Sequence, residues 1–193
     1  MRGGVLALQG DFAAHARVLR ALGLEVVLVR TRAELAAVDV LVVPGGESTA
    51  MLRLLEADGL GEALAARLSR GLPTLATCAG VILLARGVTP AQPSLGVLDL
   101  DVERNAYGRQ VFSTVAEIAV APEVGGQPVM EGVFIRAPCI TRWGHDVAVL
   151  GRRGADPVLV RQGRIVAATF HPELTDDWRV HTLVAAIGGE HDG

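Results

Sequence analysis

Pro73 Thr74 Leu75 Ala76 Thr77 Cys78 Ala79 Gly80 Val81 Ile82 Leu83 Leu84 reads as an apolar strand, Pro73 to Thr77, that breaks at a cysteine among small residues. From Gly80 to Ala85 the pattern turns helical. The same alternation extends upstream. Val40 to Val43 is a strand ended by Pro44 Gly45 Gly46, and a helical period runs from Ser48 through Leu68, interrupted near Asp58 Gly59. Earlier still, Leu24 to Val29 is a strand, and Thr31 with Glu34 forms a capping box for a short helix carrying Leu35 and Val38. The first strand, Val5 to Leu8, ends at Gln9 Gly10 Asp11 and feeds a helical pattern of Phe12, His15, Ala16, Leu19 and Leu22 closed by Gly23. Strands apolar on both faces, joined by helix-length crossovers, predict an α/β chain with a parallel sheet covered on two sides.

Downstream the pattern changes. Val97 to Glu103, Val115 to Val120, Gly132 to Arg136, Val147 to Leu150, Pro157 to Arg161 and Ile165 to Phe170 read as strands with little helix between them. Turns at Gly125 Gly126, at Gly151 to Gly154 and at Gln162 Gly163 suggest hairpins. The expectation is one domain over 1–187, its parallel sheet extended by mixed or antiparallel strands, with a closing helix over Asp177 to Ile187 and a loose tail over 188–193.

Composition removes several function classes. Half of the 193 residues are hydrophobic and a fifth are charged, which excludes disorder as the main state. All 18 cationic residues are Arg, so a catalytic lysine and the lysine-dependent phosphate loops are absent. A net charge of -3 argues against general nucleic-acid binding. Cys78 and Cys139 are the only cysteines, too few for a disulfide framework or a cysteine zinc cluster, and no HExxH spacing exists. No apolar run reaches the roughly 18 residues of a membrane span, and no signal-peptide cleavage region follows Met1; a soluble, cytoplasmic protein is expected.

Cys78 stands where a strand-to-helix turn would hold a nucleophile, near unpaired N–H groups that favour a thiolate and can stabilise an oxyanion. A buried cysteine filling space behind a strand is the competing reading. Cys139, without such a turn, reads as a packing residue. A thiol nucleophile needs a base. His171 follows a strand directly and carries Glu173 two residues on, which can orient it; a surface turn is the alternative. His15 reads as a packed or solvent-facing helix residue, and His145, His181 and His191 have no matching constellation. Gly45 Gly46 Glu47 Ser48 offers an anion-binding nest of N–H groups or, equally, a plain loop with Ser48 as helix cap. The string Glu103 Arg104 Asn105 Ala106 Tyr107 Gly108 Arg109 Gln110 can hold a substrate carboxylate or stand as a solvated loop. Arg136 fits a substrate contact or a surface ion pair. Together these loops supply nucleophile, base, orienter and oxyanion donors, the parts of an acyl-transfer thiol enzyme.

Val5 to Phe12, Pro44 to Thr49, Thr77 to Gly80, Val102 to Gln110, Val133 to Pro138 and Phe170 to Thr175 together resemble the glutaminase subunits of pyridoxal 5'-phosphate synthase, which are class I, triad-type glutamine amidotransferases. Ala76 stands where relatives often carry Gly, a change tolerated if the backbone there is ordinary strand. The resemblance implies a flavodoxin-like or Rossmann-like three-layer sandwich and a triad of Cys78, His171 and Glu173. It implies an oxyanion hole near Gly46 and Ala79, and glutamine-binding positions at Gly46, Glu47, Ser48, Arg104, Ile135 and Arg136. It also implies no cofactor and no metal. The substrate would be L-glutamine, and the partner a barrel-type synthase subunit that receives ammonia, with twelve copies of each in the assembly. Neither nucleic acid nor membrane enters. A thiol hydrolase or chaperone of the same architecture, or a regulatory module with a vestigial pocket, would lack the His–Pro–Glu arrangement or a triad member; this chain has both.

Overall fold

In the strand Val40–Val43 (β3) every residue is buried, and alternate side chains enter different cores. Leu41 and Val43 join one cluster with Leu35, Met51, Leu64 and Leu83, while Val40 and Val42 join another with Leu19, Val180 and Val184. That period of two is what a sheet covered on both faces requires. We describe the chain from a computed structural model in which residues 1–104, 106 and 114–190 are defined.

The remaining strands are Arg2–Leu6 (β1), Glu25–Val29 (β2), Thr74–Thr77 (β4), Ala85–Thr89 (β5), Leu98–Glu103 (β6), Thr114–Val120 (β7), Val129–Phe134 (β8), Cys139–Trp143 (β9), Val147–Arg153 (β10), Asp156–Gln162 (β11) and Ile165–Ala168 (β12). The helices are Phe12–Ala21 (α1), Arg32–Ala36 (α2), Ser48–Glu56 (α3), Leu60–Ser69 (α4), Ala79–Leu84 (α5) and Arg179–Gly189 (α6). Nine strands form one sheet in the order β2-β1-β3-β4-β12-β11-β10-β7-β8. Pairing is parallel from β2 through β12 and antiparallel from β12 to β8, so the expected extension of a parallel sheet is what forms. Residues of α2 to α5 pack into the core on one face, and residues of α1 and α6 into the core on the other. This is a three-layer α/β sandwich.

Several boundaries differ from the sequence reading, each for a packing reason. The first strand starts at Arg2 and ends at Leu6. Gly3 and Gly4, ahead of the strand expected from Val5, lie within it where side chains would not fit: a Cβ on Gly3 would meet Leu24 Cδ2 at 3.0 Å and one on Gly4 would meet Val38 Cγ1 at 2.9 Å. Gly151 is not a turn; it sits inside β10, at a register shift against β11, with Leu159 Cβ 3.0 Å from where its own Cβ would stand. The break near Asp58 Gly59 is real, with both residues at positive φ between α3 and α4.

A larger correction concerns β5, β6 and β9. From sequence only β6 of these reads as a strand, and it is expected in the main sheet. Instead the three make a separate small sheet, β5 parallel and β9 antiparallel to β6. Gly87 makes that pairing possible, because a Cβ there would lie 2.4 Å from Asp101 Oδ1.

Candidate active site

The site forms where three neighbouring strands end. β3, β4 and β12 are adjacent and parallel, with Val43 in register with Ala76 and Thr77 with Ala168. Their C-terminal ends deliver the Pro44–Glu47 loop, Cys78 and His171 to one place. This is how a sulfur and an imidazole 93 positions apart in the chain become neighbours.

Cys78 occupies a sharp elbow, at φ 47° and ψ -107°. Positive φ in a residue with a side chain costs about 1 to 3 kcal/mol and persists only where the surroundings enforce it. Here the Cys78 N–H donates to Ala168 O at 2.9 Å and its C=O accepts from Val81 N at 3.0 Å. Gly80 then lets α5 approach β3, since a Cβ would fall 2.3 Å from Val43 O. Ala76 lies within β4, paired with Val43 and Ala167, so the backbone there is ordinary strand. The Cys78 thiol is 3.8 Å from Ile135 O, within reach of the longer bond that sulfur makes.

His171 follows β12 and hydrogen-bonds Cys78 on one side and Glu173 on the other, with Nδ1 2.7 Å from Glu173 Oε1. Its own N–H donates to Val133 O at 2.8 Å, so the edge strand β8 comes back to brace the turn. Burial pulls the imidazole's pKa down, but the hydrogen bonds and negative charge of Cys78 and Glu173 outweigh it and carry it up to about 10. An imidazole raised in this way between a sulfur and a buried acidic side chain is the arrangement that can activate a cysteine. Glu173 is fully buried.

A cleft of about 330 Å³ opens over this pair, lined by Gly45, Gly46, Glu47, Ser48, Cys78, Ala79, Arg104, Ile135, Arg136 and His171, with Gln9, Asp11 and Ile82. Of the site residues that the resemblance implies, all but Glu173 border it, and Glu173 stands behind His171; Glu103 and Ala106 of the polar string are not in its lining. Asn105 and the segment 107–110 lie outside the described residues. His145 is remote and exposed, paired with Asp146, and Cys139 lies on β9 with its sulfur toward Ile140 O.

Of the two readings of the loop between β3 and α3, the plain loop capped by Ser48 is not what forms. Ser48 does not cap α3. The Glu47 carboxylate does, accepting from Thr49 N at 3.1 Å, Thr49 Oγ1 at 2.5 Å and Ala50 N at 2.8 Å, and the Thr49 hydroxyl first, then the backbone donors, hold its pKa below the usual carboxylate value. Ser48 is buried and donates instead to Gln92 Oε1 at 3.1 Å, an oxygen that also takes a short bond from Arg104 Nη1. Gln9 falls in the Val5 to Phe12 stretch that carries the resemblance and Gln92 in no motif, and neither reads as a site residue from sequence, yet they hold the site together. Gln9 Oε1 accepts from Glu47 N at 2.7 Å. Gly45 and Gly46 are required by proximity: a Cβ on Gly45 would stand 2.6 Å from His171 Cε1, and one on Gly46 2.4 Å from Gln9 Oε1. Arg136 sits at φ 46° just after β8, which ends at Phe134 and not at Arg136, so its exposed side chain turns at the rim.

Sequence reasoning also passed over two histidines. His15 on α1 and His181 on α6 are both fully buried, and His15 Nε2 lies 3.4 Å from Glu173 Oε2. Isolated histidines on amphipathic helices carry no local signal of what they face.

Comparison with known proteins agrees with this geometry. The profile of the SNO glutamine amidotransferase family matches residues 5–186. The pyridoxal 5'-phosphate synthase subunit PdxT of Solibacter usitatus is 50% identical over 184 residues, covering 93% of this chain and 95% of that protein. The PdxT subunit of Thermus thermophilus is 50% identical over 194 residues, covering 98% of this chain and all of the relative. A solved structure described as a glutamine amidotransferase superposes with a TM-score of 0.89 at 46% identity, covering 97% of this chain and 99% of its own. A GMP synthase component from Thermoplasma acidophilum shares the fold, with a TM-score of 0.73 at 18% identity, covering 98% of this chain and 94% of its own. A thiol on a strained elbow, an imidazole raised between it and a buried carboxylate, and a family profile spanning nearly the whole sequence converge: the chain belongs to the SNO glutamine amidotransferase family.

Proposed function

We infer that this chain hydrolyses the side-chain amide of L-glutamine and hands the ammonia to a barrel-type synthase subunit that makes pyridoxal 5'-phosphate. The observation that carries the reading is the Cys78–His171–Glu173 string facing an open, polar-rimmed cleft. Cys78 Sγ attacks the amide carbon, and the carbonyl electrons move to oxygen. The N–H groups of Gly46 and of Ala79, the first residue of α5 and so without an intrahelical acceptor, are the donors for that oxyanion. His171 delivers a proton to the amide nitrogen as the C–N bond breaks, releasing NH3 and leaving a glutamyl thioester. Water then attacks the thioester, its proton passing to His171, and glutamate leaves as the sulfur recovers its electron pair. Glu173 holds the imidazole by Nδ1, so that Nε2 faces the sulfur throughout.

Arg104 is the cation for the substrate's α-carboxylate; Glu47 Oε1 lies 4.0 Å from it and Gln92 steadies it. Ser48, Ile135 and Arg136 complete the wall. Ammonia works as a nucleophile only unprotonated, which favours release into a docked partner over release into water. The relatives named as synthase subunits support that partnership, and the expected assembly holds twelve copies of each subunit in the cytoplasm.

The test is ammonia release from glutamine, with the cognate synthase partner present and absent. Cys78→Ala is expected to lower the rate by at least about 10³-fold while the protein stays folded. Undiminished release from that variant excludes Cys78 as the nucleophile.

A further inference from the structure

The triad carboxylate has an unused end. Glu173 spends Oε1 on His171, while Oε2 is buried with no hydrogen-bond partner in reach of good geometry. His15 Nε2, on α1, lies 3.4 Å from Oε2, and that nitrogen also lies 3.2 Å from Thr77 Oγ1, the residue just before the nucleophile. His15 Nδ1 in turn meets His181 Nε2, on α6, at 2.9 Å, and His181 Nδ1 is buried with no partner at all. Elements at opposite ends of the chain thus meet behind the active site in a continuous polar string.

Both histidines are neutral. Burial first, then the neighbouring His181 and His171, holds the pKa of His15 well below its usual value, and burial lowers that of His181 to about 4. A neutral imidazole has one N–H, and the surroundings decide where it sits. A carboxylate oxygen offers only lone pairs, while the Thr77 hydroxyl can donate or accept, so an N–H at His15 Nε2 is the assignment that suits both neighbours. Its Nδ1 is then an acceptor, and His181 must carry its own proton on Nε2 to supply the 2.9 Å bond. That leaves a bare lone pair at the unpartnered His181 Nδ1. The opposite assignment would set two lone pairs against each other at Glu173 and bury an orphan N–H at His181, a costlier error than an orphan lone pair.

We propose that His15, locked in its Nε2–H tautomer by His181, is a positioning residue that holds Glu173 turned toward His171. The proposal rests on the triad reading above. The charged or titratable groups around Glu173 are His171 from its own turn and His15 from α1; His181 from α6 reaches it only through His15, and Cys78 only through His171. Among the described residues no Arg pairs with Glu173. The Nε2–H of His15 is the donor that faces its second oxygen.

Two substitutions separate positioning from packing. The amide of His15→Gln reaches where Nε2 stood and keeps a donor for Glu173, whereas His15→Asn keeps a polar group only near the old Nδ1, toward His181. Assayed as the complex with its synthase partner, His15→Asn is expected to lose about 10- to 100-fold in kcat with little change in KM. Its alkaline limb should move to lower pH, because a Glu173 turned away gives His171 less of the hydrogen bond and charge that raise its pKa. His15→Gln is expected to restore most of kcat and the original limb. Independently of glutamine, iodoacetamide labelling of Cys78, followed by peptide mass, should slow near neutral pH in His15→Asn and recover in His15→Gln. Wild-type kinetics, pH profile and labelling in His15→Asn, with only a lower melting temperature, would overturn the proposal. The wild-type protein gives a check free of folding effects: nitrogen-15 spectra of its histidines should show Nε2–H tautomers at His15 and His181, and an Nδ1–H form at either refutes the assignment. A wild-type complex that releases no ammonia would remove the glutaminase reading alone, and labelling would still decide whether His15 positions the triad.

Discussion

Gly45 shows how little space separates a working thiol from a disabled one. Its φ is not in the left-handed region, so what excludes a side chain there is the neighbours: His171 Cε1 at 2.6 Å and Cys78 Cβ at 3.3 Å from the position of a Cβ. Gly45→Ala is therefore expected to push the His171 ring off its bond with Cys78. A shift of that size costs about 10²-fold in kcat, and overpacking costs about 1 to 3 kcal/mol of stability. Steady-state kinetics and denaturant unfolding on the same preparation check both. A change in KM alone would point to the cleft and not to the imidazole.

Among the elements, α2 has only five residues and depends on others to finish it. Its start carries the Thr31–Glu34 capping box, with Glu34 N donating to Thr31 Oγ1 at 3.2 Å and Thr31 N to Glu34 Oε2 at 2.9 Å. Its end is completed by Arg67 of α4, whose guanidinium donates to Leu35 O, Ala36 O and Val38 O at 3.2, 2.9 and 2.8 Å. The box was legible in sequence because both partners are local. The Arg67 cap was not, because its partners lie about thirty residues away. Arg67→Met is expected to lower unfolding free energy by about 1.5 to 3 kcal/mol. Arg67→Lys recovers only part of that, since an ammonium cannot span three carbonyls as the planar fork does. Urea melts measure it, with glutaminase activity little changed because α2 lies outside the cleft lining.

At the scale of the whole molecule, three buried imidazoles pull stability in opposite directions with pH. His15 and His181 bind protons less readily folded than unfolded, so acid favours the unfolded chain as pH drops below about 6.5 toward 4. His171 is the reverse: its pKa rises to about 10 on folding, so its contribution is complete below about 6.5 and is lost as pH climbs through 10. Melting temperature is expected to peak between these windows. His181→Leu should flatten the acid side, and Cys78→Ala, by removing one partner of His171, should flatten the alkaline side. Differential scanning calorimetry from about pH 4 to 10 reads both slopes; an unchanged acid slope in His181→Leu would rule out that residue as its source.

What the chain determined locally was the alternation of strands and helices through α5, the elbow at Cys78, the His171–Pro172–Glu173 turn and the capping of α2. Each rests on neighbours within a few positions, where period, turn chemistry and backbone geometry act directly. Tertiary structure alone decided the rest. It moved β6 into a small second sheet, brought the edge strand β8 back to brace His171, made Glu47 the cap in place of Ser48, and set His15 and His181 behind Glu173. The physical reason is range. These arrangements depend on which surfaces meet when the sheet curls and its two faces are covered, and a histidine, glutamine or glycine that serves such a contact looks in sequence like any other on its element.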